Sequence, residues 1–157
     1  METPMTVSDR IERTLVLPAP RQRVWDAITR VEQFSQWFGN VRDIDLRVGG
    51  AINFTWENEL SPYPGVIETI EPLRCFAFRW SSHAIGHPEL NLPPTISTLV
   101  TFTLEEVAEG TCLTLVESGF AALPDALRAQ SYQENVEGWQ VELDKLPSYL
   151  VGSILAM

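Results

Sequence analysis

The chain has 157 residues, 45% of them hydrophobic and 20% charged, and 21 acidic side chains against 11 basic ones give a formal net charge of −10. That length and hydrophobic content suit a single domain over residues 1–157 with a real core, and they exclude a disordered chain. The charge excludes nucleic acid and anionic membrane surfaces as expected partners: Lys145 is the only lysine, and Asp26 and Glu32 interrupt the densest basic group, Arg21, Arg23 and Arg30.

Residues 10–17 alternate, with Ile11, Leu15 and Leu17 on one face, and predict a strand stopped by Pro18-Ala19-Pro20. Val24, Trp25, Ile28 and Val31 then space as a helix, and Phe34, Trp37 and Phe38 follow in a second short turn. A strand is predicted over 41–47, and Gly49-Gly50 turns the chain into another over 51–57, where Ile52, Phe54 and Trp56 share a face. A loop with Pro62 and Pro64 leads to a strand over 65–71, and 74–80 places Phe76, Phe78 and Trp80 together. Residues 81–95, with two histidines and three prolines, read as a loop. Val100, Phe102 and Leu104 mark a strand over 96–105, and Glu109-Gly110 turns into 111–118.

The last element is a helix over about 126–151. Tyr132, Val136, Trp139, Leu143, Leu146 and Leu150 recur at steps of four, three, four, three and four, so they form one apolar stripe. Gly138 is expected to let this helix approach the sheet, and Pro147 to kink or end it. The order is strand, helical pair, six strands and long helix, an α+β antiparallel arrangement with helices on one face. A long helix over such a sheet often encloses a cavity.

No secretion signal opens the chain, and no stretch approaches the ~18 apolar residues of a membrane span, so a cytoplasmic protein without membrane insertion is expected. Cys75 and Cys112 fall on strands placed two apart, roughly 9–10 Å, which is beyond disulfide reach and agrees with reduced thiols.

The aromatics Phe54, Trp56, Phe76, Phe78, Trp80, Phe102 and Trp139 read as core and as pocket lining at once. The candidate ligand-binding residues are Trp37, Phe54, Trp56, Phe78, Trp80, Phe102, Val136, Trp139 and Leu143. His83 and His87, with Glu89, have a metal-ligand spacing, but Gly86 and Pro88 interrupt it, so no metal is expected. His83 or His87 remains a candidate acid or base at a cavity mouth. Ser118-Gly119 lacks a strand-to-helix elbow, and Gly49-Gly50 precedes a strand rather than a helix, so neither a nucleophile nor a phosphate loop is predicted. No cofactor is implied.

Several short motifs stand in a telling order: Pro20 with Val24-Trp25, Trp37-Phe38, Val48-Gly49-Gly50, and Gly65-Val66-Ile67 before Glu71-Pro72. Phe78-Arg79-Trp80 follows, then Thr111, Leu113 and Leu115 before Ser118-Gly119-Phe120, and finally Gly138-Trp139 with Leu143 and Leu146. Over residues 10–151 the chain thereby resembles the START-like (SRPBCC) superfamily, and within it domains similar to the C-terminal part of the heat-shock-protein-90 ATPase activator. The resemblance implies a helix-grip fold: a seven-stranded antiparallel curved sheet wrapped around the long C-terminal helix, two short helices after strand 1, and an apolar cavity between sheet and helix. It also makes the first and last strands neighbours. Arg13 and Glu117 share the inward parity of those strands, so they read as a cross-strand ion pair at the sheet's edge or as polar handles for a ligand head group.

The function expected is a small binding protein holding a hydrophobic or aromatic small molecule in that cavity. A cyclase- or hydrolase-like enzyme using Glu117, Arg13 or His83 is the alternative, and a chaperone-associated interaction module the third reading. A chaperone contact is not expected, because the activator has a separate N-terminal domain that residues 1–9 leave no room for. Exposed edge strands leave a homodimer open.

Overall fold

A computed structural model describes residues 9–39, 41–56, 59–60, 64–81 and 96–155. Strand β1 (Arg10–Leu17) leads into helices α1 (Arg21–Thr29) and α2 (Val31–Trp37). Strands β2 (Val41–Ile44), β3 (Ala51–Trp56), β4 (Glu59–Leu60), β5 (Gly65–Glu71), β6 (Cys75–Trp80), β7 (Thr98–Val107) and β8 (Gly110–Ser118) follow. A 3-10 turn (Phe120–Ala122) then precedes helix α3 (Asp125–Leu155). The sheet order is β1-β8-β7-β6-β5-β3-β2, antiparallel throughout, with the two-residue β4 paired to β3. This is the helix-grip arrangement, seven strands curved around one long helix. Register shifts between Val41 and Asp43 and between Ile67 and Thr69 each insert a bulge, and a bulge adds local twist and bend.

The period-2 patterns become burial patterns. On β8, Thr111, Leu113, Leu115 and Glu117 are buried while the residues between them are only partly covered. On β7 the buried set is Thr98, Val100, Phe102 and Leu104. Against this face lies the α3 stripe, of which Trp139, Leu143, Leu146 and Leu150 are buried and Tyr132 and Val136 partly so. The α1–α2 corner forms at Arg30, whose extended backbone (φ −95°, ψ 125°) ends one helix and starts the next. The Trp37 indole N–H, donating to the Ala27 carbonyl at 2.9 Å, locks that corner.

Of the two outcomes expected at Pro147, a kink or an end, the end does not occur: α3 runs through to Leu155. A proline removes one helical N–H, here the one aimed at the Leu143 carbonyl, and the packing of Leu143, Leu146 and Leu150 on either side keeps the helix going. Gly138 does not bring the backbone onto the sheet: it is exposed, and a Cβ built there meets nothing within 4 Å. Strand β2 also stops earlier than expected, because Asp45, Arg47 and Gly50 make their backbone bonds within the turn and to Ala51. Cys75 and Cys112 are both free. Their strands flank β7, where Cys75 stands opposite Thr103 and Cys112 opposite Glu105.

Candidate functional site

Glu117 is the centre of the arrangement. It occupies the inward row of β8, where a leucine would continue the pattern, and it is 0% exposed. The sheet register brings two donors to it. Val100 stands directly opposite Glu117 on β7, which puts Thr98 on the diagonal, and Trp80 on β6 stands opposite Thr98. Helix α3 brings two more, Asn135 and Trp139, four residues apart and so on one face.

All four donate to the carboxylate. Thr98 Oγ1 and Trp80 Nε1 reach Oε2 at 2.6 and 2.9 Å. Trp139 Nε1 reaches Oε1 at 2.8 Å, and Asn135 Nδ2 lies 3.0 Å from both oxygens. A carboxylate offers about four lone-pair positions, and these bonds fill them. Among the described residues every donor is neutral, so these hydrogen bonds solvate the charge without a counterion among them. Burial pushes the Glu117 carboxyl above its ordinary pKa, and the bonds from Thr98, Trp139, Trp80 and Asn135 pull it back.

Aromatic rings surround this anion. Phe38, just past α2, touches five of them: Phe34, Trp37, Phe54, Trp80 and Trp139. Its centroid is 5.1 Å from Trp139 and 5.9 Å from Trp80, and those two indoles are 5.9 Å apart. Phe54 and Phe78 close the β3–β6 side, Phe54 lying 5.1 Å from Trp80 and 5.6 Å from Phe78. Phe102 meets Trp139 edge-on at 6.0 Å. Each indole thus turns its N–H edge to Glu117 and its faces to other rings.

Of the candidate residues, Phe54, Phe78, Trp80, Phe102 and Trp139 are brought into this one cluster. Trp37 is held in the α1–α2 corner by its bond to Ala27 and touches the cluster through Phe38. Val136 is half-buried beside Asn135, and Leu143 lies further along α3. Leu143 borders an open groove of about 370 Å³ between β1 and α3, lined by Arg13, Thr14, Leu15, Gln140, Leu143 and Asp144. The side chains of Trp56 and His83, and with His83 the His87 and Glu89 set, lie outside the described residues.

The expected Arg13–Glu117 pair does not form. In the β1–β8 register Glu117 faces Ile11, and Arg13 faces Leu115. The Arg13 guanidinium turns instead to the groove, with one long 3.4 Å bond to the Glu12 carbonyl. Inward parity was right for both residues, but a two-residue offset along the strand separates them. Three members of the site were missed: Phe38, Thr98 and Asn135. Thr98 carried a signal, as the polar residue on the inward parity of Val100, Phe102 and Leu104. So did Asn135, one helical turn before Trp139. Phe38 carried none, since it leaves α2 with irregular backbone (φ −103°, ψ 55°) that no period describes.

Comparison with known proteins agrees with the fold. A crystal structure of a Mesorhizobium loti protein superposes with a TM-score of 0.74 at 24% identity, covering 90% of this chain and 96% of that one. The Aha1 dimer from Colwellia psychrerythraea, solved in solution, gives a TM-score of 0.69 at 17% identity over 90% and 95% of the two chains. DynU16, a protein from the dynemicin biosynthetic locus, gives 0.67 at 26% identity; 91% of this chain spans 47% of that longer one. No curated protein matches the sequence. The profile of the Activator of Hsp90 ATPase homolog 1-like protein family matches residues 18–151, and the chain belongs to that family.

Proposed function

We propose that this protein binds a hydrophobic or aromatic small molecule between the sheet and α3, against the rings of Phe38, Phe54, Trp80 and Trp139. The observation that carries this reading is Glu117. Burying an anion costs several kcal/mol of lost hydration, and a well-packed apolar side chain at such a position is often as stabilising or more so. A core needed only for stability has no use for the arrangement. What it supplies is orientation, since one carboxylate fixes the rotation of two indoles and pins α3 to β6, β7 and β8. A preorganised aromatic wall is what a ligand site requires. Free cysteines are in keeping with a cytoplasmic setting, and the likeness to an Aha1 dimer, together with β1 as an edge strand, supports a homodimer.

An acid–base enzyme in the same place is the weaker reading, because the acceptor positions of Glu117 are already taken by its four donors. The test is native mass spectrometry of freshly purified protein, followed by a thermal-shift panel of apolar compounds. A copurified molecule is expected. A compound at ~100 times its Kd should add ~2.7 kcal/mol of stability. A clean apo mass together with a flat response across the panel would overturn the proposal.

A further inference from the structure

We propose that β1 is the interface with a second copy of this chain. Two β1 strands pair antiparallel about a two-fold axis at Thr14, and each Arg13 enters the groove between the partner's β1 and α3 to meet Asp144 there. This rests on the homodimer reading above and goes beyond it by naming the surface, the register and the ion pair.

Among the described residues β1 is paired on one side only, to β8, and it carries neither a proline nor a register shift. One step beyond the Arg10–Ser118 pair, the Gly119 N–H donates to the Asp9 carbonyl at 3.1 Å. Residues of an antiparallel strand bond their partner strand alternately. Ile11, Arg13, Leu15 and Leu17 therefore bond β8, and the amides and carbonyls of Glu12, Thr14 and Val16 face outward. Two further bonds agree: the Tyr132 hydroxyl donates to the Arg10 carbonyl and Arg13 Nη1 to the Glu12 carbonyl, both at 3.4 Å and both on the outer edge. Such an open row is a template for another strand. Val16, 54% exposed, lies on it.

Charge selects the occupant and the register. Self-pairing that continues the sheet keeps inward residues opposite inward residues, so its axis passes through a residue. An axis at Glu12 sets two carboxylates opposite each other and an axis at Arg13 two guanidiniums, and like charges so placed are destabilising. An axis nearer either end of β1 shortens the paired stretch among the described residues. Thr14 is neutral; an axis there pairs Glu12 with the partner's Val16 and closes about six backbone hydrogen bonds. It also sets Arg13 opposite the partner's Leu15, over the open groove of about 370 Å³ that Leu15 lines with Leu143 and Asp144. Tyr132 marks the level of Arg10 on α3. From there to Asp144 the helix rises about 18 Å, the length of roughly five to six strand residues, so Asp144 is level with Leu15. Neither Arg13 nor Asp144 has an ion pair among the described residues. Val141, 60% exposed and three residues before Asp144, extends the same side of α3.

The test uses two sets of variants of the full chain, read by sedimentation velocity over a concentration series and by non-reducing electrophoresis. Wild type should dimerise reversibly with concentration. Thr14→Cys should give a disulfide-linked dimer on mild oxidation, because Cα atoms of a hydrogen-bonded pair lie about 5.5 Å apart, within disulfide reach. Glu12→Cys, whose two copies would stand more than about 13 Å apart, should not. Wild type, with Cys75 and Cys112 free, is the control. Arg13→Asp sets a carboxylate against Asp144 and should weaken the dimer at least about tenfold, and adding Asp144→Arg should restore it to within about threefold. An inward charge on an edge strand can instead serve to block pairing, and the two roles differ in sign. Arg13→Leu should weaken association if the ion pair forms; stronger association would overturn the proposal. A dimer that Thr14→Cys does not cross-link, or that the Arg13 and Asp144 changes leave unaltered, would overturn this interface and leave the homodimer reading standing. A monomer at every concentration would overturn both. Should Arg13→Asp fail to fold, the two cysteine variants decide, since both positions are exposed.

Discussion

Trp139→Phe is the substitution that probes the Glu117 cluster most directly. It keeps a six-membered ring in place and removes the indole N–H that lies 2.8 Å from Oε1. Because Glu117 is 0% and Trp139 2% exposed, no water replaces that donor. A hydrogen bond to an ionised acceptor contributes about 1.5–3 kcal/mol. The missing part of the indole leaves a gap of roughly 40 Å³, which at about 24 cal/mol per Å³ adds about 1 kcal/mol. The expected loss is therefore about 2.5–4 kcal/mol, or a fall in Tm of roughly 5–15 °C for a chain of this size. Trp80→Phe, at a half-buried ring that water can reach, should cost only about 1–2 kcal/mol.

The cost should also depend on pH. Trp139 is one of the donors that hold the Glu117 pKa down, so removing it raises that pKa further. At a pH above the raised folded pKa the lost bond is to a carboxylate; at a pH below it the bond is to a neutral carboxyl, where such bonds contribute only about 0.5–1.5 kcal/mol. Urea unfolding followed by far-UV circular dichroism at the two pH values measures both numbers. A loss that is the same at both, or no larger than that of Trp80→Phe, would refute the claim that a buried indole–carboxylate bond organises the site.

Other outcomes follow from the same structure. The folded-state pKa of Glu117 lies above its unfolded value of about 4.3, so the folded protein binds the extra proton. Its contribution is fully present below about 4.3 and is lost as pH rises through the folded pKa; the stability difference between wild type and Glu117→Gln should shift against wild type over that rise, and parallel pH profiles would contradict this. Gly110, at φ +140° in the β7–β8 turn, has room for no side chain, since a Cβ would sit 2.2 Å from the Leu17 carbonyl oxygen. Gly110→Ala should cost at least about 3 kcal/mol or prevent folding, as measured by yield of soluble protein and chemical denaturation. Gly138→Ala should do the opposite, raising stability by about 0.5–1 kcal/mol, because the position is an exposed helix interior with nothing for a methyl to meet.

Much of the architecture was legible because it follows from local geometry. Alternation on 10–17, 65–71 and 111–118 located β1, β5 and β8 to within a residue, since successive strand side chains must point to opposite faces. The 3.6-residue stripe from Tyr132 to Leu150 located α3. Parity even identified Glu117 as an inward-facing carboxylate, a property of its own strand alone. The end of β2 and the solvent exposure of Gly138 were not legible, because each is settled by what packs against the segment rather than by the segment's residues.

The partners of Glu117 belong wholly to that second kind. Trp80, Thr98, Asn135 and Trp139 are spread over 60 positions of sequence and come from β6, β7 and α3. Only the register of three strands and the position of one helix make their donors converge on two oxygens. A shift of two residues in the β1–β8 pairing would have set Arg13 opposite Glu117 and made an ordinary ion pair. The actual register sets Ile11 there. The sequence by itself therefore determined which faces are apolar and that one of them carries a carboxylate, because side-chain direction is fixed by backbone period. Tertiary structure alone decided that this carboxylate is held by four neutral donors inside an aromatic shell, because contacts between distant segments depend on register and packing that no local period encodes.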